Sequence, residues 1–150
     1  GGVEHRIEVV RTYRGVRYYY DSIASSPSRT IAGLRSFPEK VILIAGGYDK
    51  HIPFDVLGPE VTAHVKLLVL CGATAEKIRA AVEAAPDYRP GRPEILEVTP
   101  FQAAVEAARD RAAAGDVVTL SPACSAFGQF KNFAERGRVF KEIVRSWPEE

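Results

Sequence analysis

The chain carries almost no net charge, +1 over 150 residues, and no basic tail, so nothing global argues for nucleic acid. No apolar stretch approaches the roughly 18 residues that cross a membrane as a helix. No signal-peptide pattern occupies its first residues, and there is no low-complexity run. Only two cysteines occur, Cys71 and Cys124, far apart and without a second Cys or His at ligand spacing. A disulfide or metal site therefore has no support, and two reduced thiols in a cytosolic protein are expected. The three histidines, His5, His51 and His64, also lack metal-ligand spacing. There is no G-x-x-x-x-G-K-S/T phosphate loop, no G-x-G-x-x-G fingerprint and no Ser/His/Asp elbow. By itself the chain shows no reaction centre.

What remains is an ordinary domain composition: 46% hydrophobic and 26% charged residues. A chain of this size buries roughly 68–70% of its unfolded surface, enough for one core. No domain boundary or internal repeat is visible, so residues 1–150 read as a single domain.

Two runs rich in β-branched and aromatic residues, 7–10 and 16–20, flank Arg14-Gly15 and predict a β-hairpin. Ser26-Pro27 predicts a helix start, with Ser26 as N-cap, running to about Ser36. From there strand and helix patterns alternate. Val41–Ala45, Leu67–Leu70, Glu94–Val98 and Val117–Leu120 read as strands, and runs apolar on both faces suit a parallel sheet covered on both sides. A segment from Phe54 to Val65 reads as helical despite Gly58-Pro59, and Thr74 as the cap of a helix carrying Ile78, Val82 and Ala85. Thr99-Pro100-Phe101-Gln102 reads as a capping box opening a helix through Ala112. A last helix is expected to carry Phe130, Phe133, Gly137, Phe140, Val144 and Trp147 on one stripe. The sum predicts an α/β Rossmann-like three-layer sandwich, mostly parallel, with one antiparallel strand from an N-terminal hairpin.

In such sheets ligands bind at the carboxyl ends of strands. Four strand ends carry suggestive residues: 21–26, 46–51, 71–74 and 121–128. Lys50 and His51 add positive charge there, and Ser25 and Ser26 add hydroxyls at a helix N-terminus, which favours anions. A small molecule bearing carboxylates fits this set. The alternative is that the glycines only turn the chain, the hydroxyls only cap helices and Lys50 is a solvated lysine.

Three blocks carry a family resemblance: 21–34, then Ile44-Ala45-Gly46-Gly47-Tyr48-Asp49-Lys50-His51, and above all Leu120-Ser121-Pro122-Ala123-Cys124 continuing to Gln129-Phe130-Lys131-Asn132-Phe133 and Gly137. In order and spacing they resemble the C-terminal domain of the Mur ligases over essentially the whole chain. The last block is the most specific. It resembles the D-glutamate-adding branch more closely than it does other Mur-type ligases or folylpolyglutamate synthetase, which share the domain plan.

The resemblance implies part of a cytoplasmic, bacterial, ATP-dependent ligase of peptidoglycan synthesis, monomeric, with no nucleic-acid or membrane partner. Its substrates are D-glutamate, ATP and UDP-N-acetylmuramoyl-L-alanine. It also implies an N-terminal uridine-nucleotide domain and a central domain with the phosphate loop and Mg2+ ligands, neither within these 150 residues, so the isolated domain is expected to be inactive. Residue by residue, Arg6 would contact the ATP nucleoside and Asp21 would hold its ribose hydroxyls. Lys50 would pair with a D-glutamate carboxylate, and Ser25, where the family often has Thr, would offer a hydroxyl. Ser121 and the backbone of Ser125, Ala126 and Phe127 would form another acceptor wall, with Phe133 an aromatic beside it.

The chain departs from the family pattern twice. Ile23 stands where a lysine is frequent, and Cys124-Ser125-Ala126 replaces Cys-Ala-Ser, which allows a backbone contact at Ala126 but no side-chain hydroxyl. Simpler roles exist for three residues: core packing for Phe133, a turn cap for Asp21, a surface ion pair for Arg6. Two other functions also fit, a stand-alone nucleotide- or amino-acid-binding module and a related ligase with another acceptor.

Overall fold

Arg14 and Gly15 both take positive φ, 52° and 79°, the pairing that a two-residue hairpin turn of the I′ type requires. They join β1 (Ile7–Tyr13) to β2 (Val16–Asp21), with Tyr13 opposite Val16. The computed structural model describes residues 7–149; His5 and Arg6 lie outside them. After the hairpin come α1 (Pro27–Leu34), β3 (Val41–Ala45), α2 (Leu57–His64), β4 (Val65–Leu70) and α3 (Ala75–Glu83). The chain then continues through β5 (Glu94–Glu97), α4 (Phe101–Arg111), β6 (Val117–Leu120) and α5 (Phe133–Ser146).

The six strands form one sheet in the order β1-β2-β6-β3-β4-β5. Only the β1–β2 pair is antiparallel. β3 and β6 are buried along their whole length, which explains their unbroken apolar runs. Alternate side chains of β3 serve opposite faces. Ile42 and Ile44 pack with α4 and α5 through Ala104, Val105, Phe140 and Val144. Val41, Leu43 and Ala45 pack with α1, α2 and α3 through Leu34, Leu57, Val61, Ile78 and Val82. Each such Val, Leu, Ile or Phe side chain contributes about 1.5–3 kcal/mol over exposure, so the two apolar layers hold the sheet between its helices. The expected three-layer sandwich is the one observed.

Local starts and stops differ from expectation at several helices. α4 begins at Phe101 with Pro100 as its N-cap and no side-chain cap bond, so Thr99 does not close a capping box. Ser26 is the N-cap of α1 by backbone position, but its hydroxyl meets Ser28 Oγ at 3.3 Å instead of a backbone N–H. α5 begins at Phe133, capped by the Asn132 side chain accepting from Glu135 N–H at 2.9 Å. Phe130 therefore precedes the helix and packs edge-on against Phe101, ring centroids 5.2 Å apart. At the other end of α5, Arg11 donates to the carbonyls of Val144 and Trp147 at 2.8 and 3.0 Å, satisfying carbonyls that a helix end leaves open.

The register fixes where a site can be. Tyr20 lies beside Leu120, Leu120 beside Ile44, and Ala45 beside Leu70. The next residues, Asp21, Ser121, Gly46 and Cys71, thus line up along the carboxyl edge of four neighbouring strands.

Candidate functional site

Backbone bonds stitch the loops beyond this edge together. Gly46 N–H donates to Pro122 O at 2.9 Å, Ala123 N–H to Ala24 O at 2.8 Å, and Tyr48 N–H to Ser125 O at 3.1 Å. Gly46 has φ 111°, and a Cβ there would collide with the Cys71 carbonyl. Only glycine lets β3 leave the sheet this close to β4. Thr74 does not cap α3 with its side chain. Its hydroxyl accepts from Gly47 N–H at 3.0 Å and lies 3.2 Å from Cys124 Sγ, linking three loops. Cys71 and Cys124 are both free and buried, and burial pushes the Cys124 thiol up to about 11. Neither thiol is a nucleophile in this setting.

The Lys50 loop follows. Asp49 accepts from Lys77 Nζ at 2.5 Å and from the backbone N–H of His51 at 2.8 Å, and these bonds hold its carboxyl below the usual carboxylate range. His51 takes φ 60°, which tightens the turn. Lys50 stands between them, exposed, with no hydrogen-bond or ion-pair partner among the described residues. On the same loop, the exposed ring of Tyr48 meets the exposed ring of Phe127 edge to face at 4.8 Å. The β6 loop therefore stands beside the Lys50 loop, joined to it by two backbone bonds and a ring pair. An apolar groove of about 670 Å³ between α2 and α3 lies next to this loop, lined by His51 and Lys77 but not Lys50.

Asp21 sits in a different environment. It is 2% exposed and accepts from the Ser121 hydroxyl at 3.0 Å and from the Ile23 N–H. Burial is the larger influence and raises its pKa above the ordinary value. Thr30 completes the cluster, donating to Ser121 O at 3.1 Å and lying 3.3 Å from Ser121 Oγ. A Cβ at Gly33 would collide with the Asp21 carboxylate. Asp21 also forms the floor of a cleft of about 460 Å³, whose walls include Arg17, Tyr19, Arg29 and Phe37.

The sequence-identified residues thus divide into two groups. Ser125 and Phe127 lie against Tyr48 of the loop that carries Lys50, and Ser25 is tied to the β6 loop through Arg136 and the bond from Ala123 N–H to Ala24 O. Ala126 is buried at 4%, and Phe127 N–H already donates to Ser125 Oγ at 3.1 Å. Ser121 lies inward, its hydroxyl engaged with Asp21 and Thr30. Phe133 is 51% exposed at the first turn of α5, so it is not a core residue, and its carbonyl accepts from Tyr20 Oη at 2.7 Å.

One residue of the site was not foreseen. Arg136, 2% exposed, donates from Nη1 to Cys124 O at 2.8 Å and from Nη2 to Ser25 Oγ at 3.3 Å. Its sequence context, Glu135-Arg136-Gly137-Arg138, reads as a solvated helix face. Only its place between Phe133 and Phe140 on a strongly amphipathic helix could have pointed inward.

A family model for "Mur ligase, glutamate ligase domain" matches residues 5–124. UDP-N-acetylmuramoylalanine–D-glutamate ligase of Acetivibrio thermocellus is 57% identical over 148 residues, which is 97% of this chain and 32% of that protein. The enzyme of the same name from Clostridium botulinum strain Okra is 53% identical over 145 residues, with 97% and 32% covered. The chain spans about a third of the length of these curated relatives. Among solved structures, UDP-N-acetylmuramoyl-L-alanyl-D-glutamate–2,6-diaminopimelate ligase superposes with a TM-score of 0.61 at 14% identity, covering 95% of this chain and 32% of that one. A murein peptide ligase from Psychrobacter arcticus gives 0.62 at 14% identity, covering 95% and 30%. At that identity the likeness is one of fold.

Proposed function

The chain belongs to the Mur ligase family as its glutamate ligase domain, and we propose that it is the acceptor-binding part of an enzyme joining D-glutamate to UDP-N-acetylmuramoyl-L-alanine at the expense of ATP. The observation that carries this reading is Lys50: an exposed cation with no partner among the described residues, held on a braced loop that also carries the exposed Tyr48 ring. A dicarboxylic amino acid needs such an anchor, and a hydrogen bond to a charged group contributes roughly 1.5–3 kcal/mol. The relatives at 57% and 53% identity carry the name of the D-glutamate ligase.

In this reading Lys50 binds one acceptor carboxylate. Ser25 donates its hydroxyl to the acceptor, and the backbone of Ser125, Ala126 and Phe127 walls the pocket. Phe127 and Phe133 present ring faces that exclude water. Asp21, at the floor of its cleft, takes the ribose hydroxyls of ATP, with Arg6 as a second contact to the nucleoside. ATP supplies the phosphoryl group that activates the carboxylate of UDP-N-acetylmuramoyl-L-alanine. These residues bind and orient, and hold no phosphate: there is no phosphate loop in the sequence. Among the described residues no three His, Cys, Asp or Glu side chains are grouped to hold a metal, and in this reading Mg2+ ligation belongs to the central domain that the resemblance implies. We place the reaction in the bacterial cytoplasm, which supplies both nucleotides. No described helix is long and apolar enough to cross a membrane.

The test is acceptor choice by the full-length protein that contains this domain. ADP release with UDP-N-acetylmuramoyl-L-alanine is expected with D-glutamate and not with L-lysine or diaminopimelate. Release with one of the latter instead would move the protein to a ligase of different acceptor.

A further inference from the structure

Thr74 stands at the N-cap of α3 but does not cap it. A threonine in that position usually turns its hydroxyl back to a first-turn N–H of its own helix. Here Thr74 is 0% exposed and its hydroxyl is engaged elsewhere: it accepts from Gly47 N–H at 3.0 Å and lies 3.2 Å from Cys124 Sγ.

Both partners belong to loops of the acceptor site. Gly47 lies three residues before Lys50. Cys124 precedes Ser125, whose carbonyl accepts from Tyr48 N–H at 3.1 Å. One buried hydroxyl thus ties the β3 loop and the β6 loop to the start of α3. Gly47 is itself buried, and without that hydroxyl its N–H would lose its acceptor, a state that buried donors escape by shifting toward water. The approach is close because Gly72 permits it: a Cβ there would lie 3.0 Å from Gly47 Cα.

A second contact, one turn along α3, acts on the same loop. Lys77 Nζ holds Asp49, the residue before Lys50, at 2.5 Å. Thr74 and Lys77 are spaced to share one face at the start of the helix. An exposed ion pair contributes little stability, but this one fixes the residue beside Lys50.

We propose that Thr74, with Lys77 in support, is a positioning residue for the acceptor: the start of α3 fixes Lys50 relative to the β6 loop, and so sets the affinity for D-glutamate without touching it. This rests on the D-glutamate reading above.

The experiment uses the full-length ligase containing this domain, with D-glutamate, ATP and UDP-N-acetylmuramoyl-L-alanine varied in turn. Thr74→Val replaces the hydroxyl by a methyl. KM for D-glutamate should rise about tenfold, while KM for each nucleotide substrate moves less than about twofold. Thr74→Ser restores the hydroxyl and should return KM for D-glutamate to within about threefold of the parent. Lys77→Met should raise it about threefold. In a Lys50→Ala background, either substitution should raise it by less than about twofold more, because the cation being positioned is gone.

A KM for D-glutamate unmoved by Thr74→Val, equal losses for all three substrates, no recovery in Thr74→Ser, or an undiminished effect in the Lys50→Ala background would each overturn the proposal. If Thr74→Val does not fold, Lys77→Met carries the test. An unchanged KM in that variant, or an effect that persists undiminished without Lys50, would overturn the proposal. An unchanged KM for D-glutamate in Lys50→Ala would remove the acceptor reading itself, and this inference with it. A raised KM there beside an unmoved one in Thr74→Val would overturn this inference alone.

Discussion

Lys50 and Asp21 lie at the carboxyl ends of strands in the same sheet, yet their surroundings are opposite. Lys50 is exposed and unpartnered among the described residues, on a loop braced by its neighbours Asp49 and Tyr48. Asp21 is buried, hydrogen-bonded to Ser121 and to the Ile23 N–H, and covered by Gly33. The difference shows what each contributes. The bonds of Asp21 are already made within the fold, so changing its surroundings should cost stability. The charge of Lys50 meets no partner among the described residues, so its interaction energy is available to a ligand, and its loss should leave stability almost unchanged.

The largest expected effect strikes the buried corner. Gly33→Val drives a side chain into the Asp21 carboxylate and should cost about 3 kcal/mol, as overpacking against a buried polar group does. Urea denaturation of the 150-residue chain measures it. Lys50→Ala in the same assay should stay within about 0.5 kcal/mol of the parent, and similar losses for the two variants would erase the contrast.

A smaller loss, about 2 kcal/mol, is expected for Ser121→Ala, which removes one of the donors to the buried Asp21 carboxylate. The same substitution should barely alter KM for D-glutamate if the Ser121 hydroxyl serves the fold and not the acceptor.

The smallest effect is a pH dependence. Burial, the dominant cause, raises Asp21 above its ordinary 3.8, only partly offset by its hydrogen bonds to Ser121 and Ile23. The folded protein then holds a proton that the unfolded chain has lost, so this contribution to stability is full below 3.8 and is lost as pH rises through the folded value. Thermal melts over that window should show the parent losing stability relative to Asp21→Asn as pH increases. Parallel curves would mean that Asp21 is not perturbed.

Much of this was legible in the sequence. The unbroken apolar runs of β3 and β6 announced a sheet covered on both faces, and Arg14-Gly15 announced the hairpin, because each depends on local residue types. The place of Lys50 was legible for the same reason: a lone lysine just past the end of β3, after Gly46-Gly47. The Asp21–Ser121–Thr30 cluster was not, since its members come from positions up to 100 residues apart and meet only through the β2–β6 register. The start of α5 was misplaced because Phe130 continues the apolar spacing, although Asn132 supplies the cap. Arg136 escaped notice because the run Glu135-Arg136-Gly137-Arg138 resembles a solvated helix face, and only packing shows Arg136 turned inward.

The central claim is that Lys50 is the acceptor's carboxylate anchor and nothing more. The most direct measurement is steady-state kinetics of Lys50→Ala in the full-length ligase, with D-glutamate and ATP varied in turn. The account predicts a rise in KM for D-glutamate of about 10- to 100-fold, the equivalent of one charged hydrogen bond, with KM for ATP nearly unchanged. An unchanged KM for D-glutamate would contradict it.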